Sequence, residues 1–469
     1  MTPRIVLLGG FAASSAMNYG FSVVAARLLE PQQFGVVAVA QGILVVAGLV
    51  LGAGVPAVLA AELARGTAVP GRLVRGALLV NVAIGTAIAC GLGIAALVEP
   101  VRRSLGSVEG VAMLAIAFPA FGVLSTGWST AQGRGRFALC SVINIAESGT
   151  RLALGTLVLV LGASARGALA AIAAGALAGA ATSAVVMHRL GRPSGRGLAF
   201  PHLGTAGAVF VAQLGQVLLI TVDLIGLRVF GADSGTVGIY QAALILANAP
   251  YYVVAATVVP VLYSRASATA DPGERSPLLS EALVIVALFT LPIELLLVAY
   301  PRAALTLVFP DAYGSGAAAL RVLAAGTLCL TVLAVYSFFL QASARARISA
   351  AVLGVVALVE PVGLLVAVPR WSSTGAAAVF AVASGIALTA LLAAGVRQGV
   401  QGLRPARAVA AGAACAVAAV AAVVALASAG VPLPLALAAG AVAYAALLAR
   451  SGILRRIVPE PLRAARDAG

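Results

Sequence analysis

Three ionisable residues lie deep inside long apolar runs of this sequence. Glu147 and Arg151 are four residues apart in a run at 141–162, and Glu360 lies in a run at 349–368. Residues four apart share one face of a helix, so Glu147 and Arg151 are expected to be neighbours. A charge inside an apolar helix bundle costs about 2.5 kcal/mol or more, so such residues usually face a partner, a cavity or water. These three residues are therefore the first candidates for a functional role.

Two interpretations of the Glu147–Arg151 pair stay open. In the first, the two charges neutralise each other and only allow the helix to insert. In the second, Arg151 holds an anionic group and Glu147 exchanges a proton, because a medium of low dielectric constant favours the neutral form of a carboxylic acid. Glu360 has no cation near it in the sequence. It is predicted to be an ion-coupling residue like Glu147, or else a buried neutral acid without a role.

Neutral polar residues within the apolar runs provide further candidates, and each needs a hydrogen-bonding partner that helix packing alone could supply. The residues expected to bind substrate together with Arg151 are Asn18, Gln41, Asn144 and Gln213. Other residues expected to line a cavity are Asn81, Gln216 and Asn248. Asp223, Glu294 and Arg321 lie nearer the ends of their runs, and we place these three at the membrane interface.

Enzymatic chemistry has little support in this sequence. Both histidines, His188 and His202, lie in one basic segment, and no nucleophile accompanies them at a useful spacing. The GRGR segment at Gly133–Arg136 lacks the lysine and hydroxyl of a phosphate-binding loop. The four cysteines have neither disulfide nor metal-site spacing. No catalytic residue, metal ligand or cofactor is expected, and the protein is predicted not to be an enzyme.

The composition requires a membrane environment. Hydrophobic residues make up 62% of the 469 residues and charged residues 10%, with a mean hydropathy of +1.08, whereas a soluble domain has about 25% charged residues. The apolar runs have the length of about 20 residues that a helix needs to cross a bilayer. The run at about 5–27 continues without a small-residue cleavage site, so we interpret it as a retained helix rather than a signal peptide.

The arginines predict the topology. The spacing of the runs predicts fourteen spans, which puts both termini on one side of the membrane. All 30 basic residues are arginine: 21 fall in the loops on the side of the termini, seven in the opposite loops and two within spans. Cytoplasmic loops carry an excess of arginine and lysine, so both termini are predicted to be cytoplasmic. The net charge of +15 is explained by topology, and no nucleic-acid partner is expected.

The chain is predicted to be a duplicated, all-α membrane protein. Gln132, Arg134 and Arg136 precede the fifth span as Gln341, Arg345 and Arg347 precede the eleventh. Because each half has six spans, the halves are expected to be parallel repeats. The predicted units are a six-helix lobe at 1–188, a cytoplasmic linker at 189–203, a second six-helix lobe at 204–396, and two additional helices with a basic cytoplasmic tail at 397–469.

Two short segments carry a resemblance to a known family. RLLEPQQFG at Arg27–Gly35 resembles the end of the first helix in polysaccharide-repeat flippases, which belong to the multidrug/oligosaccharidyl-lipid/polysaccharide exporter superfamily. VGIYQAA at Val237–Ala243 resembles the corresponding segment of their second half. The layout of two six-helix lobes, a basic middle segment and two extra helices is similar over the whole chain. GxxxG spacing at Gly48–Gly52 and Gly175–Gly179 permits close helix approach.

The resemblance implies a flippase of the bacterial plasma membrane. Such a protein moves an undecaprenyl-pyrophosphate-linked oligosaccharide between leaflets by alternating access around a central cationic cavity. The implied partners are that lipid-linked oligosaccharide, membrane lipids, and a polysaccharide polymerase or glycosyltransferases. The alternatives are a lipid II flippase, a cation-coupled drug or metabolite antiporter of the same superfamily, and a membrane scaffold that does not transport.

Overall fold

The protein is almost entirely helical. The structure, a computed structural model, describes residues 3–66, 70–99, 102, 105–190, 198–200, 207–269, 272–397 and 406–451. Its elements are α1 Pro3–Leu28, α2 Pro31–Ala53, α3 Val55–Arg65, α4 Pro70–Ala95, α5 Val108–Gly133, α6 Phe137–Val160, α7 Ala165–Leu190, α8 Gly207–Val229, α9 Ser234–Ala268, α10 Pro272–Ala299, α11 Pro301–Val308, a 3₁₀ helix Asp311–Gly316, α12 Ala317–Ala342, α13 Ala346–Arg397, α14 Ala406–Ser428 and α15 Leu433–Ser451. No strand occurs within these ranges.

The helices confirm the predicted fold class. Twelve helical segments of the described ranges are long and apolar enough to cross a membrane. One of them, α13, has 52 residues and turns back at Ser372, where φ is 49°, so it supplies two crossings. A Cβ on Gly363 would lie 3.1 Å from Val379 of the returning segment. With α1, which has 26 residues, the count is the predicted fourteen.

The helices show two features that the fourteen predicted spans did not include. The second span is not one helix: α2 ends before Gly54, whose φ of −83° and ψ of −109° break the helix, and α3 begins at Val55. Asn81 of α4 donates to the carbonyl of Leu51 at 2.9 Å beside this break. In addition, α11 and the 3₁₀ helix occupy the connection between α10 and α12. Pro301 starts α11, where a missing N–H costs no helical hydrogen bond.

The helices pack as two bundles that meet through a few elements. The first bundle holds α1–α7, in which α6 packs on α1 and α7, and α5 packs on α4 and α7. The second holds α8–α13, in which α13 packs on α8 and α12, and α12 packs on α9 and α10. Between the bundles, α2 packs on α8 and α9, and α1 on α9. Helices α14 and α15 pack on each other, and α14 also packs on α10.

The chain alternates in direction, so its turns fall at two ends. The turn after Arg27 lies at the same end as the α6–α7 and α8–α9 turns; we call it the Arg27 end. Most of the predicted linker, and the basic tail beyond 451, lie outside the described residues. Within the linker, the backbone N–H of Ala199 donates to the carbonyl of Arg72 at 3.2 Å, so this part of the linker contacts the start of α4.

Candidate functional site

Glu147 and Arg151 form an ion pair on α6. Arg151 Nη2 contacts Glu147 Oε1, and both side chains are largely buried. The neighbouring helix α7 approaches this face of α6 closely because it carries glycines there. A Cβ on Gly175 would lie 2.8 Å from the carbonyl oxygen of Glu147, and one on Gly179 would lie 3.0 Å from Cβ of Glu147. The GxxxG spacing of α7 therefore positions the pair, whereas Gly48 and Gly52 of α2 have no neighbour within 4 Å.

The ion pair faces a cavity between the two bundles. This central cavity has a volume of about 470 Å³. Its wall is formed by α1, α2, α5 and α6 of the first bundle and by α8 and α9 of the second. Its polar and aromatic lining residues are Ser15, Asn18, Tyr19, Ser22, Gln41, Phe121, Glu147, Arg151, Thr221, Gln241, Asn248 and Tyr252. The cavity is therefore a polar space that depends on both bundles.

The charge of the central cavity differs from the cationic cavity that the resemblance implied. Among the described residues that line it, only Glu147 and Arg151 are charged, and they neutralise each other. The expectation of a cationic cavity is wrong for this conformation. The remaining polar groups are amides and hydroxyls. Gln41 Nε2 donates to Ser22 Oγ at 3.4 Å, and Thr327 Oγ1 donates to Asn248 Oδ1 at 3.1 Å.

The structure gathers some of the predicted site residues and separates others. Arg151, Glu147, Asn18 and Gln41 line the central cavity. The residues placed outside its wall are Asn144, Gln213 and Glu360. Asn144 shares the helical face of Glu147 and Arg151, three and seven residues later, but it lies roughly 10 Å from Arg151 along the axis of α6 and outside the cavity wall.

Sequence reasoning missed several lining residues that carried a readable signal. Ser15, Tyr19 and Ser22 accompany Asn18 at spacings of three and four in an otherwise apolar helix, which is the pattern of one polar helical face. Gln241 lies in the segment Val237–Ala243 but was not selected as a binding residue. Its position one turn beyond Gly238 places it in the cavity wall.

Glu360 belongs to a second polar site inside the second bundle. It is buried on α13, and neither of its carboxylate oxygens has a hydrogen-bond partner among the described residues. It interacts electrostatically with Asp223 of α8 and with Tyr240 of α9. The Tyr240 hydroxyl donates to Asp223 Oδ2 at 2.5 Å, and the N–H of Leu224 donates to Oδ1 at 2.7 Å. Two carboxyl groups and one phenol therefore share a buried site.

Asp223 and Glu294 lie six and five residues from the ends of α8 and α10, and their interfacial depth stays a prediction. Asp223 is completely buried and Glu294 is 2% exposed, because both point into helix packing rather than toward the ends of their helices. Like Glu360, Glu294 has no hydrogen-bond partner for either carboxylate oxygen within the described part of the chain. Arg321 is exposed, and its Nε donates to the carbonyl of Val298 at 3.1 Å.

The segments at Arg27–Gly35 and Val237–Ala243 meet at the Arg27 end. A Cβ on Gly35 would lie 1.9 Å from the carbonyl oxygen of Ser234, and a Cβ on Gly238 would lie 2.0 Å from that of Pro31. Only glycine at both positions lets α2 and α9 cross so closely. We call this contact the Gly35–Gly238 crossing.

Further contacts join the bundles around the Gly35–Gly238 crossing. Arg27 Nε donates to the carbonyl of Val308 at 2.6 Å. The rings of Phe34 and Tyr313 stack edge to face at 6.2 Å, and the Tyr313 hydroxyl donates to the carbonyl of Leu29 at 3.4 Å. These contacts hold the two bundles together at the Arg27 end.

Comparison with solved structures shows the same fold in known transporters. A lipid II flippase, MurJ, in an inward closed conformation, superposes with a TM-score of 0.76 at 12% identity, over 96% of this chain and 99% of that one. An inward-facing MATE family multidrug transporter gives 0.63 at 14% identity, over 85% and 98%. A MOP superfamily transporter from Pyrococcus furiosus, described as having a binding pocket of reverse polarity, gives 0.55 at 17% identity, over 85% and 95%.

The sequence matches a family as well as a fold. No curated protein matches it. A family model described as polysaccharide biosynthesis protein matches residues 24–318. The matched range begins in α1, includes both glycines of the crossing and the Glu147–Arg151 pair, and ends at the start of α12. On this match, which covers more than half of its length, the chain belongs to the polysaccharide biosynthesis protein family.

Proposed function

We propose that this protein is a flippase that moves a lipid-linked oligosaccharide, carried on undecaprenyl pyrophosphate, across the bacterial plasma membrane for polysaccharide biosynthesis. The observation that carries the proposal is the central cavity between the bundles, with one buried arginine held by a carboxylate. Arginine suits a pyrophosphate because its planar fork can bond two oxygens at once. The amides and hydroxyls around it suit a sugar. Membership of a polysaccharide biosynthesis family supports this substrate class.

Arg151 would exchange partners during the cycle. It pairs with Glu147, so the buried guanidinium is not left without a counter-charge, which would cost several kcal/mol. An arriving phosphate competes with Glu147 for the same guanidinium. The displaced carboxylate would then sit beside an anion at low dielectric, a situation that favours its protonation. Substrate binding and proton binding would thereby be linked at this pair.

Alternating access would open the cavity to one side at a time. The Arg27 end is closed by the Gly35–Gly238 crossing. We assign this end to the outer face because the arginine-rich loops and both termini lie at the other end. We also propose that the two bundles are the moving lobes predicted at 1–188 and 204–396.

The buried Asp223–Tyr240–Glu360 site is the proposed place of ion coupling. Two carboxyl groups that share a site cannot both ionise cheaply, so the pair is expected to hold a proton or a cation. The site joins α8, α9 and α13. Two of these helices, α8 and α9, also line the central cavity. A change in protonation there would therefore act on the cavity wall.

A lipid II flippase is a second candidate. It is favoured because MurJ superposes on 96% of this chain, whereas the inward-facing MATE transporter superposes on 85%. A drug antiporter is less well supported, because the cavity lining has only one acidic residue among the described residues. The non-transporting scaffold is distinguished by experiment. Reconstituted protein that binds a glycosyltransferase or polymerase but moves no lipid-linked sugar between leaflets would favour the scaffold.

The test is transport by purified protein in liposomes. A fluorescent undecaprenyl-pyrophosphate-linked oligosaccharide is supplied, and its movement between leaflets is followed by quenching from outside. We expect transport by the unchanged protein and a loss of tenfold or more for Arg151→Ala, since a charged hydrogen bond contributes roughly 1.5–3 kcal/mol. Arg370→Ala, at an exposed arginine that donates to the carbonyl of Val366, is the matched control. Full transport by folded Arg151→Ala would refute the site.

A further inference from the structure

Asn81 of α4 is completely buried and joins three helices of the first bundle, and it stands outside the wall of the central cavity. Its side-chain nitrogen donates to the carbonyl of Leu51 on α2 at 2.9 Å and to the hydroxyl of Ser125 on α5 at 2.8 Å. The carbonyl of Gly122, also on α5, lies 3.1 Å from the same nitrogen. An amide nitrogen carries two hydrogens, so the two shortest contacts engage both. Asn81 therefore links α2 to α5 through α4.

The Leu51 carbonyl needs this donor because α2 ends beside it. Leu51 lies in the last turn of α2, and the last four carbonyls of a helix have no partner within that helix. The helix stops before Gly54, whose φ and ψ are not helical, and Pro56 has no N–H to offer to the carbonyl of Gly52. Because Leu51 is also buried, its carbonyl has to be paired within the protein. Asn81 supplies that hydrogen bond.

The position of the Asn81 amide is set by α4 and α5 rather than by α2. A Cβ on Gly122 would lie 2.8 Å from the carbonyl oxygen of Asn81, so the backbones of α4 and α5 are in direct contact at this residue. The Ser125 hydroxyl donates its own hydrogen to the carbonyl of Phe121 at 2.8 Å, which leaves its oxygen to accept from Asn81. The donor is thus fixed within the first bundle, and the end of α2 is the part that it holds.

The two sides of the break pack on different bundles. Helix α3 packs on α4 and α5, and its residues Leu59 and Leu63 are buried in one cluster with Leu73 of α4. Helix α2 instead packs mainly on α8 and α9 of the second bundle. The span therefore passes from one bundle to the other at Gly54, next to the hydrogen bond from Asn81.

Helix α2 carries part of the cavity wall between two points of attachment. Its residue Gln41 lines the central cavity together with the Glu147–Arg151 pair of α6. At the Arg27 end, α2 is attached to the second bundle by the Gly35–Gly238 crossing, and near Gly54 Asn81 attaches it to the first bundle. Both contacts hold α2 while the crossing is closed. Once the crossing parts, the attachment at Asn81 remains.

We propose that Asn81 is a positioning residue for transport. It anchors the broken end of α2 to the first bundle, so that α2, with Gln41, stays beside the Glu147–Arg151 pair when the Gly35–Gly238 crossing parts. This role rests on the proposed function, because the crossing would part only in an alternating-access cycle. Substrate binding while the crossing is closed should then not depend on Asn81, whereas the later steps of the cycle should.

The first test is liposome transport by Asn81→Leu, which replaces the amide by an apolar group of similar size. The rate is measured over a range of concentrations of the fluorescent undecaprenyl-pyrophosphate-linked oligosaccharide. We expect the maximal rate per folded molecule to fall roughly tenfold, through loss of one buried hydrogen bond, with the half-saturating concentration unchanged. A merely structural role would lower the yield of folded protein and leave that rate unchanged. Asn81→Ala, which adds no bulk, is the second variant.

Ser125→Ala is the matched control at the same amide. It removes one acceptor of Asn81 but leaves the hydrogen bond to Leu51, and the carbonyl of Gly122 at 3.1 Å can accept the second hydrogen. This variant is expected to transport like the unchanged protein. A full maximal rate in both Asn81 variants, a raised half-saturating concentration at an unchanged maximal rate, or an equal loss in Ser125→Ala would overturn the proposal.

The second test follows the position of α2 directly. Spin labels are placed at Val45 of α2 and Leu79 of α4, both exposed, after replacement of the four cysteines. Gly35→Ala, whose Cβ would lie 1.9 Å from the carbonyl oxygen of Ser234, is used to part the crossing. We expect the same label distance in the unchanged protein and in Gly35→Ala, and a longer or broader distribution only when Asn81→Leu is added. An unchanged distribution in the double variant would overturn the anchor.

Failure of the anchor can be told apart from failure of the flippase function. If the unchanged protein moves no lipid-linked sugar in liposomes, the proposed function fails, and the Val45–Leu79 distance still decides whether Asn81 anchors α2. If transport is normal and the label distance does not respond to Asn81→Leu in the Gly35→Ala background, the proposed function stands and the anchor is refuted.

Discussion

At the scale of single side chains, the buried ionisable residues fall into three different arrangements. Glu147 and Arg151 neutralise each other at the wall of the central cavity, where a substrate anion can compete. Glu360 and Asp223 interact electrostatically inside the second bundle, and the described residues of that site include no cation. Glu294 is equally buried but stands apart from both sites. The three arrangements predict different responses to neutralisation.

Replacement of Glu360 should abolish the response of transport to a pH gradient. One pH unit supplies at most about 1.4 kcal/mol per proton, or a tenfold effect, and Glu360→Gln removes the group that would take up that proton. Transport in liposomes is compared with and without the imposed gradient. Glu147→Gln is measured in the same way, because the second proposed exchange site is there.

Glu294→Gln is the matched control for this measurement. It neutralises a carboxyl that is as buried as Glu360 and also without a hydrogen-bond partner in the described structure. We expect this variant to keep the gradient response. If neither Glu360→Gln nor Glu147→Gln changes the response, both carboxyl groups are structural. If Glu294→Gln abolishes it, the coupling site has been misplaced.

Close helix crossings at glycines organise the molecule at the scale of elements. Gly175 and Gly179 bring α7 against the backbone of α6 and so fix the Glu147–Arg151 face toward the cavity. Gly35 and Gly238 bring α2 against α9 and close the Arg27 end. The first crossing lies within one bundle and is needed in every state. The second lies between bundles and would have to part during transport.

Gly35→Ala should shift the bundles toward the state that is open at the Arg27 end. Its Cβ would lie 1.9 Å from the carbonyl oxygen of Ser234, a distance that requires α2 and α9 to move apart. The measurement is the distance between spin labels at Leu97 and Leu307, exposed residues at the Arg27 end of the first and second bundles, after replacement of the four cysteines. This distance is expected to lengthen. The ratio of closed to open molecules should fall tenfold for each 1.4 kcal/mol that the clash costs, which is about RT ln 10.

Gly48→Ala is the control on the same helix. It adds the same methyl group to α2 at a place where nothing lies within 4 Å. Both changes gain up to about 1 kcal/mol of helix propensity, so the comparison isolates the clash. A label distance that shortens or stays the same in Gly35→Ala would contradict the role of the crossing in closure.

At the scale of the whole molecule, helices α14 and α15 lie outside the two bundles and are attached to α10. Pro292 lies within α10 and has no N–H to donate to the carbonyl of Leu288. The hydroxyl of Tyr444, on α15, donates to this carbonyl at 2.6 Å. Gly412 of α14 packs on the same residue, since a Cβ there would lie 2.6 Å from Leu288 Cδ2. Helices α14 and α15 are thus attached at the proline of α10.

Tyr444→Phe should loosen α14 and α15 without unfolding the bundles. The change leaves the Leu288 carbonyl without a donor in an apolar setting, at a cost of roughly 1–3 kcal/mol. Hydrogen exchange is expected to accelerate in α14 and α15 and to remain unchanged in α12. Tyr263→Phe, at an exposed tyrosine, is the control. Unchanged exchange in α14 and α15 would show that apolar packing alone attaches these helices.

The sequence by itself determined the membrane class, the number of membrane-spanning segments and the places of the turns between them. These follow from local properties, since a run of apolar residues must satisfy its own backbone hydrogen bonds as a helix. The paired turns after Gln132 and Gln341 are an example. Both contain a left-handed residue three positions after the glutamine, Gly135 with φ of 67° and Ala344 with φ of 58°, in keeping with their similar order of residues. The ion pair at Glu147 and Arg151 was also local, four residues apart on one helix.

The tertiary structure alone decided which polar residues meet across helices. Nothing within α8 or α13 states that Asp223 and Glu360 share a site, because their separation of 137 positions in the chain is bridged only by packing. The neutral charge of the central cavity and the exclusion of Asn144 and Gln213 depend on where along the helices the cavity forms, which a hydropathy pattern does not determine. Packing also decided the role of the two short segments that carried the family resemblance. Each is a turn in sequence, and together they form the closed end of the molecule through the contact between Gly35 and Gly238.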